Sequence, residues 1–107
     1  MKASVSITLL LTISGGLLAA AGDPAAGKAV YDKTCKTCHG PTGVANPAIV
    51  KMMKVDIKDL GSAEIQKMSD ADFKTTITEG HGKMKPVKSV TGGDIDNVVA
   101  YVRTLKK

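Results

Sequence analysis

The chain opens on an apolar stretch and then changes character. Met1 and Lys2 precede an uncharged, mostly apolar run from Ala3 to Leu18, followed by Ala19-Ala20-Ala21 and the polar Asp23-Pro24. A positive start, an apolar middle and an Ala-x-Ala end are the marks of a secretory signal, which places cleavage after Ala21. The competing reading is a retained membrane anchor, because Ala3 to Gly22 approaches the roughly 20 residues that a spanning helix needs. Ser4, Ser6, Thr8, Thr12, Ser14, Gly15 and Gly16 dilute the run and favour cleavage, and no Cys follows it to take a lipid. Residues 1–21 are therefore read as a signal, and residues 22–107 as one folded domain with no membrane span.

Beyond Gly22 the apolar positions fall at helical spacing. Asp23-Pro24 offers an N-cap and a first-position proline, and Gly27, Val30, Tyr31, Thr34 and Cys35 follow at three- and four-residue intervals. A first helix thus runs into the cysteines. The string from Gly40 to Pro47 is Gly-Pro-Thr-Gly-Val-Ala-Asn-Pro, whose turn formers suit a loop wrapping something. A short helix around Ile49 to Val55 is expected after it. Ser69-Asp70-Ala71-Asp72 has the form of a capping box, Phe73 and Ile77 lie one turn apart, and Gly80 is a stop, which predicts a helix of about three turns. A second loop, from Gly80 to Gly93, holds His81, Met84 and Pro86. Asp94 to Lys107 then sets Ile95, Val98, Val99, Val102 and Leu105 on one face, with Asp94 and Asp96 near its start and Arg103, Lys106 and Lys107 near its end, as the helix dipole prefers. No strand alternation or repeat occurs after residue 22. The fold class read from this pattern is all-α, with three to five short helices.

Composition adds one requirement. The only aromatic residues are Tyr31, Phe73 and Tyr101, and there is no Trp. A domain this small with so few large side chains buries proportionately little surface and commonly needs a disulfide, a metal or a cofactor to complete its core.

The two cysteines supply the candidate. Cys35-Lys36-Thr37-Cys38-His39 is a Cys-x-x-Cys-His string, the attachment signature of haem c. Two thiols three residues apart reach the two vinyl groups of one porphyrin, and the adjacent imidazole can turn to the iron. Three plainer readings compete. A disulfide between Cys35 and Cys38 suits an oxidising compartment; a thioredoxin-like pair requires a βαβ context that this pattern lacks; and a zinc site requires four ligands, of which Cys35, Cys38 and His39 are crowded together and His81 is remote. For the sixth iron ligand Met84 leads, because Gly82-Lys83-Met84-Lys85-Pro86 places a thioether in a loop with no periodic apolar face to pack into. His81 is the rival, and the choice matters because a His/Met pair raises the haem potential. Met52, Met53 and Met68 are read as packing residues. Pro47 is a candidate to present a carbonyl to the second imidazole nitrogen of His39.

With these residues in view the chain resembles a small class I cytochrome c across residues 22–107: Gly27 and Tyr31 in an N-terminal helix, Cys35 to His39, the Gly- and Pro-containing loop to Pro47, Met84 in a late loop, and Val98 to Tyr101 in a C-terminal helix. The resemblance implies a cytochrome c fold around one covalent haem c, with Gly27 and Tyr31 crossing Val98 and Tyr101. It departs from the family in two places. Lys85 stands between Met84 and Pro86, where the family often has Pro directly after Met, and no Trp is present to bind a propionate.

The expected function is a monomeric periplasmic one-electron carrier that is not an enzyme, its iron held by His39 and Met84 with no position left for substrate. Its expected partners are redox proteins. Lys36, Lys51, Lys54, Lys83, Lys85 and Lys88 surround the attachment segment and the Met84 loop and suggest docking to acidic surfaces. Nucleic acid is excluded, because a formal charge of +5 is modest and no binding motif accompanies it. The competing function is a haem-based enzyme or sensor in which Met84 detaches and peroxide or a diatomic gas reaches the iron.

Overall fold

The computed structural model describes residues 22–107 and contains six helices: α1 (Pro24–Thr34), α2 (Lys36–His39), α3 (Pro47–Met53), α4 (Ala63–Gln66), α5 (Asp70–Glu79) and α6 (Gly93–Thr104). Among the described residues there is no strand, only an isolated bridge between His81 and Met84. The all-α class stands. The helix count exceeds the expected range because α2 and α4 are single turns, too short to repeat an apolar position in sequence. The signal and anchor readings fall on residues 1–21, outside the described residues; no helix among the described residues is long and apolar enough to cross a membrane.

The helices begin where side chains can take up the free amides of a first turn. Asp23 accepts from the amide of Ala25 at 2.9 Å with Pro24 at the first helical position. At α5 the capping box closes in both directions: Ser69 Oγ accepts from Asp72 N at 3.0 Å, and Asp72 Oδ2 accepts from Ser69 N at 3.3 Å. Gly80 ends α5 at φ 80°, as the sequence predicts. α6 starts one residue early, after Gly92, and ends at Thr104, so Lys106 and Lys107 lie past its last turn. α3 starts at Pro47, two residues before the expected Ile49, because Asn46 Oδ1 accepts from Ala48 N at 3.0 Å and makes Asn46-Pro47 a cap rather than a turn.

The core is Tyr31, Phe73, Ile77, Val90, Val98, Val99 and Val102. Its centre is the crossing of α1 over α6, which forms at the residues named from sequence. A Cβ on Gly27 would overlap the Asn97 carbonyl and lie 3.0 Å from Tyr101 Cβ, so only glycine lets the backbones meet. Beside it the Tyr31 and Tyr101 rings sit 5.0 Å apart, tilted by 58°. α4 packs Ile65 against the core and is also fastened by polar groups. Gln66 Nε2 donates to the carbonyls of Leu60 (2.8 Å) and Val102 (3.0 Å), while Arg103 donates to those of Gln66 (2.8 Å) and Met68 (2.7 Å) and lies 4.6 Å over the Phe73 ring.

Candidate haem site

α1 hands directly to the attachment segment. The Cys35 amide donates to the Tyr31 carbonyl at 2.9 Å, and the amides of Cys38 and His39 both donate to the Cys35 carbonyl, at 3.2 and 3.0 Å. Cys38 and His39 therefore ride on the single turn of α2 while Cys35 forms its joint with α1. Gly40 then turns the chain at φ 71°, where a Cβ would overlap the Val44 carbonyl.

Such a turn has carbonyls with no helical partner, and two other residues take them up. Asn46 donates its backbone amide to the Cys38 carbonyl at 3.0 Å and its side-chain Nδ2 to that of Thr37 at 3.1 Å. Tyr31 donates its hydroxyl to the Gly40 carbonyl at 2.6 Å from a fully buried position. Burial holds the Tyr31 phenol above its ordinary range, so it remains a protonated donor. Sequence reasoning gave neither role: Tyr31 reads as a packing residue and Asn46 as a turn former. The one legible signal is Asn-Pro, which is as good a cap as it is a turn.

The chemistry-bearing groups are only partly exposed. Burial pushes the Cys35 thiol up, offset in part by the Thr34 hydroxyl 3.3 Å away, and both cysteines carry free thiols. Burial also pushes His39 below the ordinary histidine range, so at neutral pH its imidazole is uncharged and keeps a lone pair for a metal. Its Nδ1 is shielded from solvent and has no hydrogen-bond partner. Pro47, the candidate for that nitrogen, is placed at the start of α3. Its carbonyl belongs to the helix ladder, and no hydrogen bond joins it to His39.

Met84 sits on a separate, closed turn. The amides of His81 and Met84 each donate to the other residue's carbonyl at 2.9 Å, with Gly82 between them at φ 56°. The Val87 amide, donating to the Ile77 carbonyl at 2.8 Å, returns the chain to α5. Met84 is half-buried and His81 exposed. No hydrogen bond among the described residues links this turn to α2, but Lys83 Nζ donates to the Met53 carbonyl of α3 at 2.8 Å. By sequence Lys83 belongs with the docking lysines, and nothing local signals that bond.

These residues fit a haem. α3 carries Ala48, Ile49, Val50, Met52 and Met53, yet buries none of them, and Met52 is 71% exposed. Met52 therefore does not pack as the sequence predicts, whereas Met68 does lie against the core. An apolar helix with no fully buried residue, paired free thiols three residues apart and a shielded imidazole with an unpartnered nitrogen together suit a flat apolar macrocycle with an iron at its centre. The plainer readings fare worse. The thiols are not joined, and among the described residues no strand supports a dithiol redox fold and no group of three or more His, Cys, Asp or Glu could hold a metal ion by itself.

Comparison with known proteins agrees with this fit. The family model described as cytochrome C oxidase, cbb3-type, subunit III matches residues 22–102. The chain is 32% identical to cytochrome c6 of Rippkaea orientalis over 108 residues, covering 95% of this chain and 92% of the relative. It is 33% identical to cytochrome c-554(547) of Halothiobacillus neapolitanus over 92 residues, covering 80% of this chain and all of that one. Among solved structures, the KustC0563 c-type cytochrome superposes with a TM-score of 0.64 at 31% identity, over 76% of this chain and 98% of the other. A Cys-x-x-Cys-His turn held at both ends, an apolar helix left for a macrocycle to cover, and relatives matched along almost their whole length lead to one conclusion: the chain belongs to the c-type cytochromes, as a small monohaem electron-carrier protein with covalently bound haem c.

Proposed function

We propose that this cytochrome is a periplasmic one-electron carrier whose haem is joined to Cys35 and Cys38, with His39 and Met84 as the axial ligands of its iron. When bound, haem c supplies a one-electron Fe(II)/Fe(III) couple. The chain's own residues keep both ligands in place. Tyr31 and Asn46 hold the turn that carries His39, and the paired His81–Met84 bonds hold the turn that carries Met84. The observation that carries the reading is the contrast within that second turn: Met84 is half-buried and His81 exposed. The gas- or peroxide-binding alternative draws on the Lys85 insertion and on Gly80 and Gly82, which would suit a mobile loop, and it requires Met84 to leave the iron. Export rests on the signal read in residues 1–21, and a monomer is expected.

Charge placement supports a docking face. The ion pairs among the described residues join Lys28 to Asp32, Lys58 to Asp56 and Glu64, Lys74 to Asp96, Arg103 to Asp70 and Lys107 to Asp59. Lys36, Lys51, Lys54, Lys85 and Lys88 are exposed and have no acidic partner in that set. They are free to meet an acidic redox protein, which raises the association rate at low salt.

The test is carbon monoxide binding to the reduced holoprotein at neutral pH beside its electron-transfer rate. No binding together with fast oxidation and reduction is the expected result. Rapid binding would sink the closed-site reading and favour the sensor or enzyme.

A further inference from the structure

Among the described residues, the bond from Lys83 is the one hydrogen bond between α3 and the Met84 turn. α3 packs mainly on α2 and buries no residue, while the Met84 turn is anchored on the other side, to α5 through Val87. Lys83 Nζ spans the gap to the Met53 carbonyl at 2.8 Å, thirty positions back in sequence. That carbonyl is available for a physical reason. Met53 ends α3, so no later helical amide reaches it, and Lys54 turns the chain into the left-handed region at φ 51°. A helix C-terminus also carries a partial negative charge that suits an ammonium.

We infer that Lys83 is a positioning residue: its ammonium latches the Met84 turn to the end of α3 and so limits how often Met84 leaves the iron. This rests on Met84 being the axial ligand. Lys83 directly precedes Met84, so the latch holds the ligand's own turn. Opening the turn toward solvent must break the Lys83 bond, whereas the His81–Met84 bonds close the turn on itself and do not tie it to α3. Lys85, on the other side of Met84, is equally exposed but has no hydrogen-bond partner among the described residues, and it serves as the matched control.

The experiment measures imidazole binding to the oxidised holoprotein by stopped flow, together with amide hydrogen exchange at His81 and Met84. Lys83→Leu keeps an aliphatic side chain and removes the donor without adding a second iron ligand; it should bind imidazole roughly threefold to tenfold faster, the range expected for losing one ordinary hydrogen bond, and exchange those amides faster. Lys83→Arg should restore the parent rate, and Lys85→Leu should match the parent. Global unfolding of Lys83→Leu should stay close to that of the parent, which separates a latch from general destabilisation. A Lys83→Leu rate equal to the parent's, or one matched by Lys85→Leu, would overturn the latch. Met84→Ala separates the two claims. If it binds imidazole far faster than the parent, the ligand assignment stands whatever Lys83 does; if it binds no faster, the assignment fails and the latch fails with it.

Discussion

At Cys35-Lys36-Thr37-Cys38-His39, five consecutive residues hold the attachment and one ligand, and their chemistry is legible because covalent attachment needs those atoms at that spacing. What positions them was not legible. Tyr31 lies four residues before Cys35 at a helical packing position, and nothing local tells that its hydroxyl ends 2.6 Å from the Gly40 carbonyl. The same holds for Lys83, whose partner is thirty positions away. Asn46 makes Pro47 the start of a helix, a placement that its reading as a loop proline does not include. Tyr31→Phe removes only the hydroxyl and leaves a buried carbonyl unpaired, so it should lower holoprotein stability by about 1–3 kcal/mol. Urea unfolding checks this, and a loss below about 0.5 kcal/mol would mean that the bond contributes little net stability.

Elements were read well where they carry a period or a cap. α1, α5 and α6 combine apolar spacing with Asp23, Ser69 or first-turn acids, so their ends fell within a residue or a few of the observed ones. α4 was missed because hydrogen bonds from Gln66 and Arg103 hold it, and such long-range contacts leave no local pattern. Gly27→Ala should cost about 3 kcal/mol or more, since its Cβ would meet the α6 backbone, which cannot yield as a side chain can. Thermal unfolding of the holoprotein checks it; tolerance of alanine would mean that the α1–α6 crossing is looser than described. A second prediction concerns pH. Lys107 Nζ and the Gly61 amide donate to Asp59 and hold its carboxyl below the ordinary range. The resulting stabilisation is complete above the unfolded value of about 3.9 and is lost as pH falls through the depressed folded value. The stability gap between parent and Asp59→Asn should therefore be present at about pH 6 and shrink toward about pH 2. A gap that does not change with pH would rule the ion pair out as its source.

For the whole molecule, the sequence points to a staple or guest, because a domain with three aromatics and short apolar stripes buries little surface of its own and commonly needs one. The structure shows where that need falls: α3, apolar and with no fully buried residue. It also sorts the lysines, leaving Lys85 and Lys88 without an acidic partner while Lys83 is engaged. Lys85→Glu with Lys88→Glu should slow reduction by an acidic partner several-fold at low ionic strength and much less at high salt. Equal rates at both salts would remove the docking face.

The central claim is the pair His39 and Met84 on the iron of a covalent haem. Its most direct test is the visible spectrum of the holoprotein, produced with a cytochrome c maturation system, read at the weak far-red band of a sulfur-to-iron bond. The account predicts covalent haem with that band in the parent, the band kept in His81→Ala and lost in Met84→Ala. A band absent from the parent, or lost in His81→Ala and kept in Met84→Ala, would contradict it.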